Sequence, residues 1–133
     1  MLAHLHKTRS LPRSVQILYS FKSVSQDVNK ILFLDRLMSI AAANKDKVML
    51  ELYNTGIATI EKEDAGMAGQ DHFRFSSRRM DFDDLVRALG PFEERPGVVF
   101  YICGPPAMTD QFTQFLRQQE GIDDSQVKCE KWW

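Results

Sequence analysis

The stretch Val98-Val-Phe-Tyr-Ile-Cys-Gly-Pro-Pro-Ala-Met108 decides how this sequence is read. Val98–Ile102 is the most hydrophobic run of the chain and predicts a central strand buried on both faces. Cys103 and Gly104 then make a turn, and Pro105 and Pro106 open a helix, since proline is tolerated in a first helical turn. Met108, Phe112, Phe115 and Leu116 mark the buried side of that helix, and Gly121 ends it. A strand that passes through glycine directly into a helix has a chemical logic. Gly104 lets a ligand approach the backbone closely. The helix start presents free N–H groups and the positive end of its dipole. Cys103 is small and soft enough to lie flat against a planar ring.

Working outward, further strands and helices alternate around this unit. Val15–Phe21 is β-branched and aromatic, which predicts a buried strand. Ser23 and Gln26 fit a capping box, followed by a helix to about Asn44. Val28, Ile31, Leu32, Leu34, Met38 and Ala41 give that helix its apolar face. Lys47–Tyr53 predicts a second strand, closed by a turn at Asn54-Thr-Gly56. Residues 57–80 are the least patterned and read as a loop, with room for one short strand. Asp81 caps a helix over Phe82–Leu89, stopped by Gly90-Pro91. Gln126–Trp132 predicts a last strand, and a short helix over Met1–Thr8 precedes a turn at Pro12. Alternating strands and helices predict an α/β fold, a Rossmann-like parallel sheet with flanking helices. Ligands of such sheets sit beyond the carboxyl ends of the strands, which places the Cys103–Met108 turn at the expected site.

Composition removes other classes. At 133 residues, with 44% hydrophobic and 26% charged, the sequence reads as one globular domain. Seventeen Lys plus Arg against eighteen Asp plus Glu leave a net charge of −1, so no footprint for nucleic acid or an anionic membrane surface exists. The longest uncharged stretch, Pro96–Thr109, is too short and too broken by Gly and Pro to span a bilayer. Two cysteines make neither a disulfide framework nor a four-cysteine zinc site. His4 and His6 do not face one another on a helix, so a metal site is not expected. The first acidic residue is Asp27, after Lys7, Arg9, Arg13 and Lys22. That basic start reads either as a mitochondrial transit segment or as a short helix and turn. The expected compartment is intracellular, mitochondrial in the first case and cytoplasmic in the second.

The segment Tyr101-Ile-Cys-Gly-Pro-Pro-Ala-Met108 resembles the Cys-Gly-Pro-x-x-Met motif of the ferredoxin–NADP reductase superfamily. The ending Cys129-Glu-Lys-Trp-Trp133 is similar to that family's last strand with its closing aromatic. The closest similarity is to the oxidoreductase NAD-binding domain-containing members. The resemblance covers nearly the whole chain and implies a single NAD(P)-binding lobe over residues 1–133. It implies that nicotinamide is positioned for hydride transfer to FAD, an electron-transfer function of a flavoprotein oxidoreductase. Cys103 is then the catalytic-position residue beside the nicotinamide, with Gly104, Pro105, Pro106 and Met108 shaping the pocket. Ser20, Lys22 and Ser23 fall where the family holds the adenosine ribose. Lys22 matches a basic residue of some NADP-using members. Thr55 matches a threonine at the end of the next strand. Glu130 matches a carboxylate just before the terminal aromatic, and Trp133 matches the aromatic that stacks near the flavin.

The pattern is departed from in one place. All seven glycines lie at or after Gly56, so the family's Gly-rich phosphate loop has no counterpart in the first half. Aligned on the motif, the sequence starts inside the helix that follows that loop. The family's first strand, central in its sheet, and its flavin-binding barrel are therefore expected to be missing. The expected fold is such a lobe without its first strand, not active alone. Three accounts are open: a truncated product of a longer gene, a lobe completed by a flavin-bearing domain or partner chain, or direct pairing of Val15–Phe21 with Val98–Ile102. The rival function is a truncated non-catalytic isoform or interaction module. Cys129 reads as a core residue of the last strand and Trp132 as packing. Arg78 and Arg79 read either as a phosphate clamp or as solvated loop residues. Carboxylates and histidines show no acid–base constellation near the motif, which suits hydride transfer by positioning.

Overall fold

The computed structural model describes residues 1–23, 31–56 and 71–130. The chain forms two compact units, Met1–Met80 and Asp81–Trp133. Both are α/β, with parallel strands and flanking helices.

The first unit contains helix α1 (Leu2–Lys7), strand β1 (Val15–Phe21), helix α2 (Leu34–Ala43) and strands β2 (Val48–Asn54) and β3 (Phe73–Ser76). The sheet order is β1-β2-β3. The register pairs Val15 with Val48 through Phe21 with Asn54, and Leu50 with Phe73 through Tyr53 with Ser76. Because side chains alternate across a strand, this register collects Val15, Ile17, Tyr19, Phe21, Val48, Leu50, Leu52, Phe73 and Phe75 on one face. Ile31, Leu34 and Ala41 pack into the same cluster and form the core with it. Val48, Leu50 and Leu52 are fully buried, each contributing about 1.5–3 kcal/mol relative to exposure. The β1 residues of that face are only half-buried. On the opposite face, Tyr53 donates to the buried Glu51 carboxylate at 3.0 Å. Arg74, directly across from Glu51, approaches it to 3.7 Å. The Asn44 side chain contacts His6 Nδ1 at 2.9 Å, fastening α1 to the end of α2.

The predicted strand Val15–Phe21 is observed over those residues, and the second strand is shifted by one, to Val48–Asn54. The helix expected from Ser23 to Asn44 is shorter. Ile31–Phe33 are not helical, and α2 begins only at Leu34. Phe33 breaks it: its φ of +62° is left-handed, a conformation that costs a non-glycine residue energy and cannot continue an α-helix. Leu32, expected on the apolar face, is exposed. Gln26 and Val28 lie outside the described residues.

The second unit contains helix α3 (Phe82–Leu89), a 3₁₀ segment at Phe92–Gly97, strand β4 (Phe100–Cys103), helix α4 (Pro106–Arg117), a 3₁₀ turn at Asp124–Gln126 and strand β5 (Val127–Glu130). Asp81 caps α3: its carboxylate accepts the Asp84 N–H while the Asp84 carboxylate accepts the Asp81 N–H. Phe82 stacks on Phe115 of α4 at 4.6 Å and meets Phe112 edge-on at 5.9 Å. Strands β4 and β5 pair in parallel, from Phe100 with Val127 to Cys103 with Glu130. Gln126 Nε2 donates to the carbonyls of Arg95 and Val98, tying the entrances of the two strands together.

Two expectations are overturned here. Val98–Ile102 is not an interior strand buried on both faces: β4 spans Phe100–Cys103, pairs with β5 alone among the described residues, and leaves Val99 and Tyr101 51% and 62% exposed. A strand with one neighbour has one bare edge, and a two-stranded sheet covered by α4 has one bare face. Cys129 is likewise exposed instead of core. Direct pairing of Val15–Phe21 with the strand before Cys103 is not observed, since β1 bonds to β2 and β4 to β5.

Candidate functional site

The residues singled out from the sequence fall into two groups, one in each unit, each at the carboxyl ends of parallel strands.

In the first unit, the β1–β2 register ends with Phe21 opposite Asn54, so Lys22-Ser23 and Thr55-Gly56 leave the sheet side by side. Thr55 donates its N–H to the Phe21 carbonyl at 2.8 Å, and its hydroxyl reaches the same oxygen at 3.2 Å. The buried Asn54 side chain accepts two N–H groups on Oδ1, from Ser23 at 3.1 Å and Gly56 at 2.9 Å. The two exits are thereby pinned together. Glycine is required at 56, because a Cβ there would stand 1.8 Å from the Ser23 carbonyl oxygen. Ser20, Lys22, Ser23 and Thr55 are thus gathered on one lip. Ser20 and Lys22 are exposed, Ser23 is buried, and Thr55 is half-buried. Such a lip offers hydroxyls for a sugar and one ammonium for a phosphate.

In the second unit, Cys103 ends β4 with its side chain exposed, and Glu130 stands opposite it at the end of β5. Gly104 follows. A Cβ at Gly104 would lie 2.2 Å from Met108 Cε, so the absent side chain is what lets methionine fold back over the turn. The Thr109 hydroxyl donates to the Gly104 carbonyl at 3.2 Å, and the Thr109 N–H to that of Pro105 at 3.0 Å, locking turn to helix. Pro105 is the N-cap and Pro106 the first helical residue, where the missing N–H has no intrahelical acceptor to lose. The N–H groups of Ala107 and Met108 lie in the helix's positive first turn. Cys103, Gly104, Pro105, Pro106, Met108 and Glu130 are therefore brought together. Trp133 lies outside the described residues.

The remaining candidates resolve differently. The two thiols occupy adjacent strands but opposite faces, because Cys129 is in register with Ile102 and not with Cys103. Neither is in a disulfide. Arg78 lies over the Tyr53 ring at 5.3 Å, a cation–π contact, and donates to the Arg79 carbonyl at 2.8 Å. Among the described residues no group of three His, Cys, Asp or Glu is placed to hold a metal. An open recess of about 530 Å³ is lined by Pro96, Gly121, Ile122, Asp123, Ser125 and Gln126. It lies at the amino ends of β4 and β5, the wrong end of a parallel sheet for a ligand. Sequence reasoning missed Asn54 as the pin between strand ends. The signal was present, since Asn before Thr-Gly is a side-chain-to-backbone turn former. Among the described residues no helix is long and apolar enough to cross a membrane. Comparison with family models, curated proteins and solved structures finds no match to this chain.

Proposed function

We propose that this chain is an NAD(P)H-binding lobe of the ferredoxin–NADP reductase type, serving hydride transfer to an FAD carried by another domain or chain. One observation carries the reading. The Cys103-Gly-Pro-Pro-Ala-Met108 turn ends a parallel strand, enters a helix at once, and has Met108 folded over Gly104 with Glu130 alongside. The bound nicotinamide would supply the hydride and the flavin would accept it. In this reading the chain's own residues bind and orient. Cys103 offers a flat, soft contact at the open strand end. Gly104 and Met108 set the width of the slot, and Glu130 is the neighbouring polar group. Ser20, Ser23 and Thr55 supply hydroxyls for the ribose, and the Lys22 ammonium favours a 2′-phosphate.

Each unit by itself offers residue types suited to one end of a dinucleotide: hydroxyls and an ammonium in the first, the Cys103–Met108 turn in the second. No glycine occurs among residues 1–55, the part of the sequence where the family's pyrophosphate loop would fall. No flavin site is evident among the described residues. The open edges of β1 and β4 agree with the finer reading of the fold, a lobe whose family first strand is not among the described residues. The bare edges of β1 and β4 among the described residues also favour the second reading, a non-catalytic interaction module.

Calorimetric titration of the chain with NADH and with NADPH separates the two. The binding reading expects saturable binding that is tighter for NADPH, an NADPH preference lost in Lys22→Ala, and weakened binding of both in Gly104→Val. No saturable binding of either dinucleotide to a chain shown to be folded overturns it and leaves the interaction module.

A further inference from the structure

We propose that the open edge of β1 pairs with the same edge of a second copy of the chain, antiparallel, about a two-fold axis through Leu18.

Among the described residues strand β1 has one neighbour, β2. The bonds Val15 N–H to Lys47 O and Thr55 N–H to Phe21 O, with the parallel register, aim the backbone groups of Val15, Ile17, Tyr19 and Phe21 at β2. The N–H and C=O of Gln16, Leu18 and Ser20 therefore face away from the sheet. Among the described residues these six groups have no backbone partner. Exposed edges are normally protected by charge, proline, a bulge or brevity. The other edge strand of this sheet, β3, is four residues long and carries Arg74. By contrast β1 has seven residues, five of them apolar, with no charge and no proline. Its sequence is that of an interior strand placed at an edge.

The strand is also complementary to itself. In an antiparallel pair centred on Leu18, Leu18 faces Leu18 and Gln16 faces Ser20, so all six outward groups are bonded. On the core face, Val15 meets Phe21 and Ile17 meets Tyr19, a β-branched residue against an aromatic at every position, the favoured kind of cross-strand pair. These four side chains are half-buried in one copy, while Val48, Leu50 and Leu52 beside them are fully buried. The pairing carries the apolar face across the axis and covers them. Lys22 falls opposite Ser14 of the second copy, so no like charges meet in register. A two-fold contact of this kind uses one patch twice and closes, which stops growth at a dimer.

Sedimentation and hydrogen exchange on the full chain over a concentration series test the proposal. The expected result is a mass that doubles with rising concentration. The Gln16, Leu18 and Ser20 amides become protected as it does, while Ile17, Tyr19 and Phe21 are protected throughout. Leu18→Pro removes an outward N–H that bonds nothing in one copy, and proline is compatible with an edge strand at such a position. Leu18→Lys places like charges on the axis. Both variants are expected to keep the monomer mass at every concentration, and the lysine variant retains the native circular dichroism spectrum even where the proline is not tolerated. A wild-type chain that stays monomeric overturns the proposal. So does a dimer in which the Gln16, Leu18 and Ser20 amides remain unprotected, or one that a folded Leu18→Lys variant forms equally well.

Discussion

A single side-chain oxygen, Asn54 Oδ1, holds the exits of two strands by accepting the Ser23 and Gly56 N–H groups. Removing it takes the acceptor from two N–H groups, that of the buried Ser23 and that of the half-buried Gly56. A buried unsatisfied donor costs about 1–3 kcal/mol. Asn54→Ala is therefore expected to lower the free energy of unfolding by about 2–3 kcal/mol, read from the urea midpoint at unchanged slope. Asn54→Asp keeps the accepting oxygen and is expected to lose less. An aspartate as damaging as alanine would show that the accepted bonds are not what holds the exits. The lip carrying Ser20, Lys22, Ser23 and Thr55 depends on this pin, although Asn54 was not among the residues the sequence marked. Its identity as a turn former was readable, but its burial and its second donor, thirty-one positions away, came only from the β1–β2 register.

At the scale of elements, legibility followed the range of the forces involved. Strand β1 and helix α3 matched their predicted bounds because local signals specify them: a β-branched and aromatic run, and an Asp81 cap with Gly90 at φ +69°. The turn at Cys103–Met108 was legible for the same reason. The start of α2 was not. Periodicity from Ile31 onward continues a helix, and nothing in a Phe predicts a left-handed φ. The Tyr19 hydroxyl, donating to the Leu32 carbonyl at 2.5 Å, is a tertiary contact that no local pattern announces. The bareness of β4 and the exposure of Cys129 were illegible because hydrophobicity reports what a strand could bury, not whether a neighbour is there to bury it. Phe33 gives a direct test of the strained entry to α2. Its side chain is 63% exposed, so little burial is lost on truncation, while glycine adopts φ +62° without penalty. Phe33→Gly is expected to stabilise the chain by about 1 kcal/mol, seen as a raised urea midpoint. A lowered midpoint would show that the exposed ring contributes more than its backbone strain costs.

For the whole molecule, one titration links burial to global stability. Burial raises the Tyr19 hydroxyl above its ordinary value. The unfolded chain therefore gives up this proton at a lower pH than the folded one, and unfolding releases it. The Tyr19 contribution is fully present below about pH 10 and is lost as pH rises through the folded value. Unfolding free energies measured from neutral to alkaline pH are expected to fall more steeply for the wild type than for Tyr19→Phe. Parallel slopes for the two would show that Tyr19 titrates alike in both states.

The division into Met1–Met80 and Asp81–Trp133 has a consequence for biogenesis. Among the described residues, every paired strand neighbour of β1, β2 and β3 lies within the first eighty residues, and those of β4 and β5 lie after them. The strand pairing of the first sheet uses no strand after Met80 among the described residues. The earlier unit can thus fold during synthesis, domain-like, while the later one is still being made. A fragment that ends at Met80 should already resist protease along β2, although it lacks the turn at Cys103.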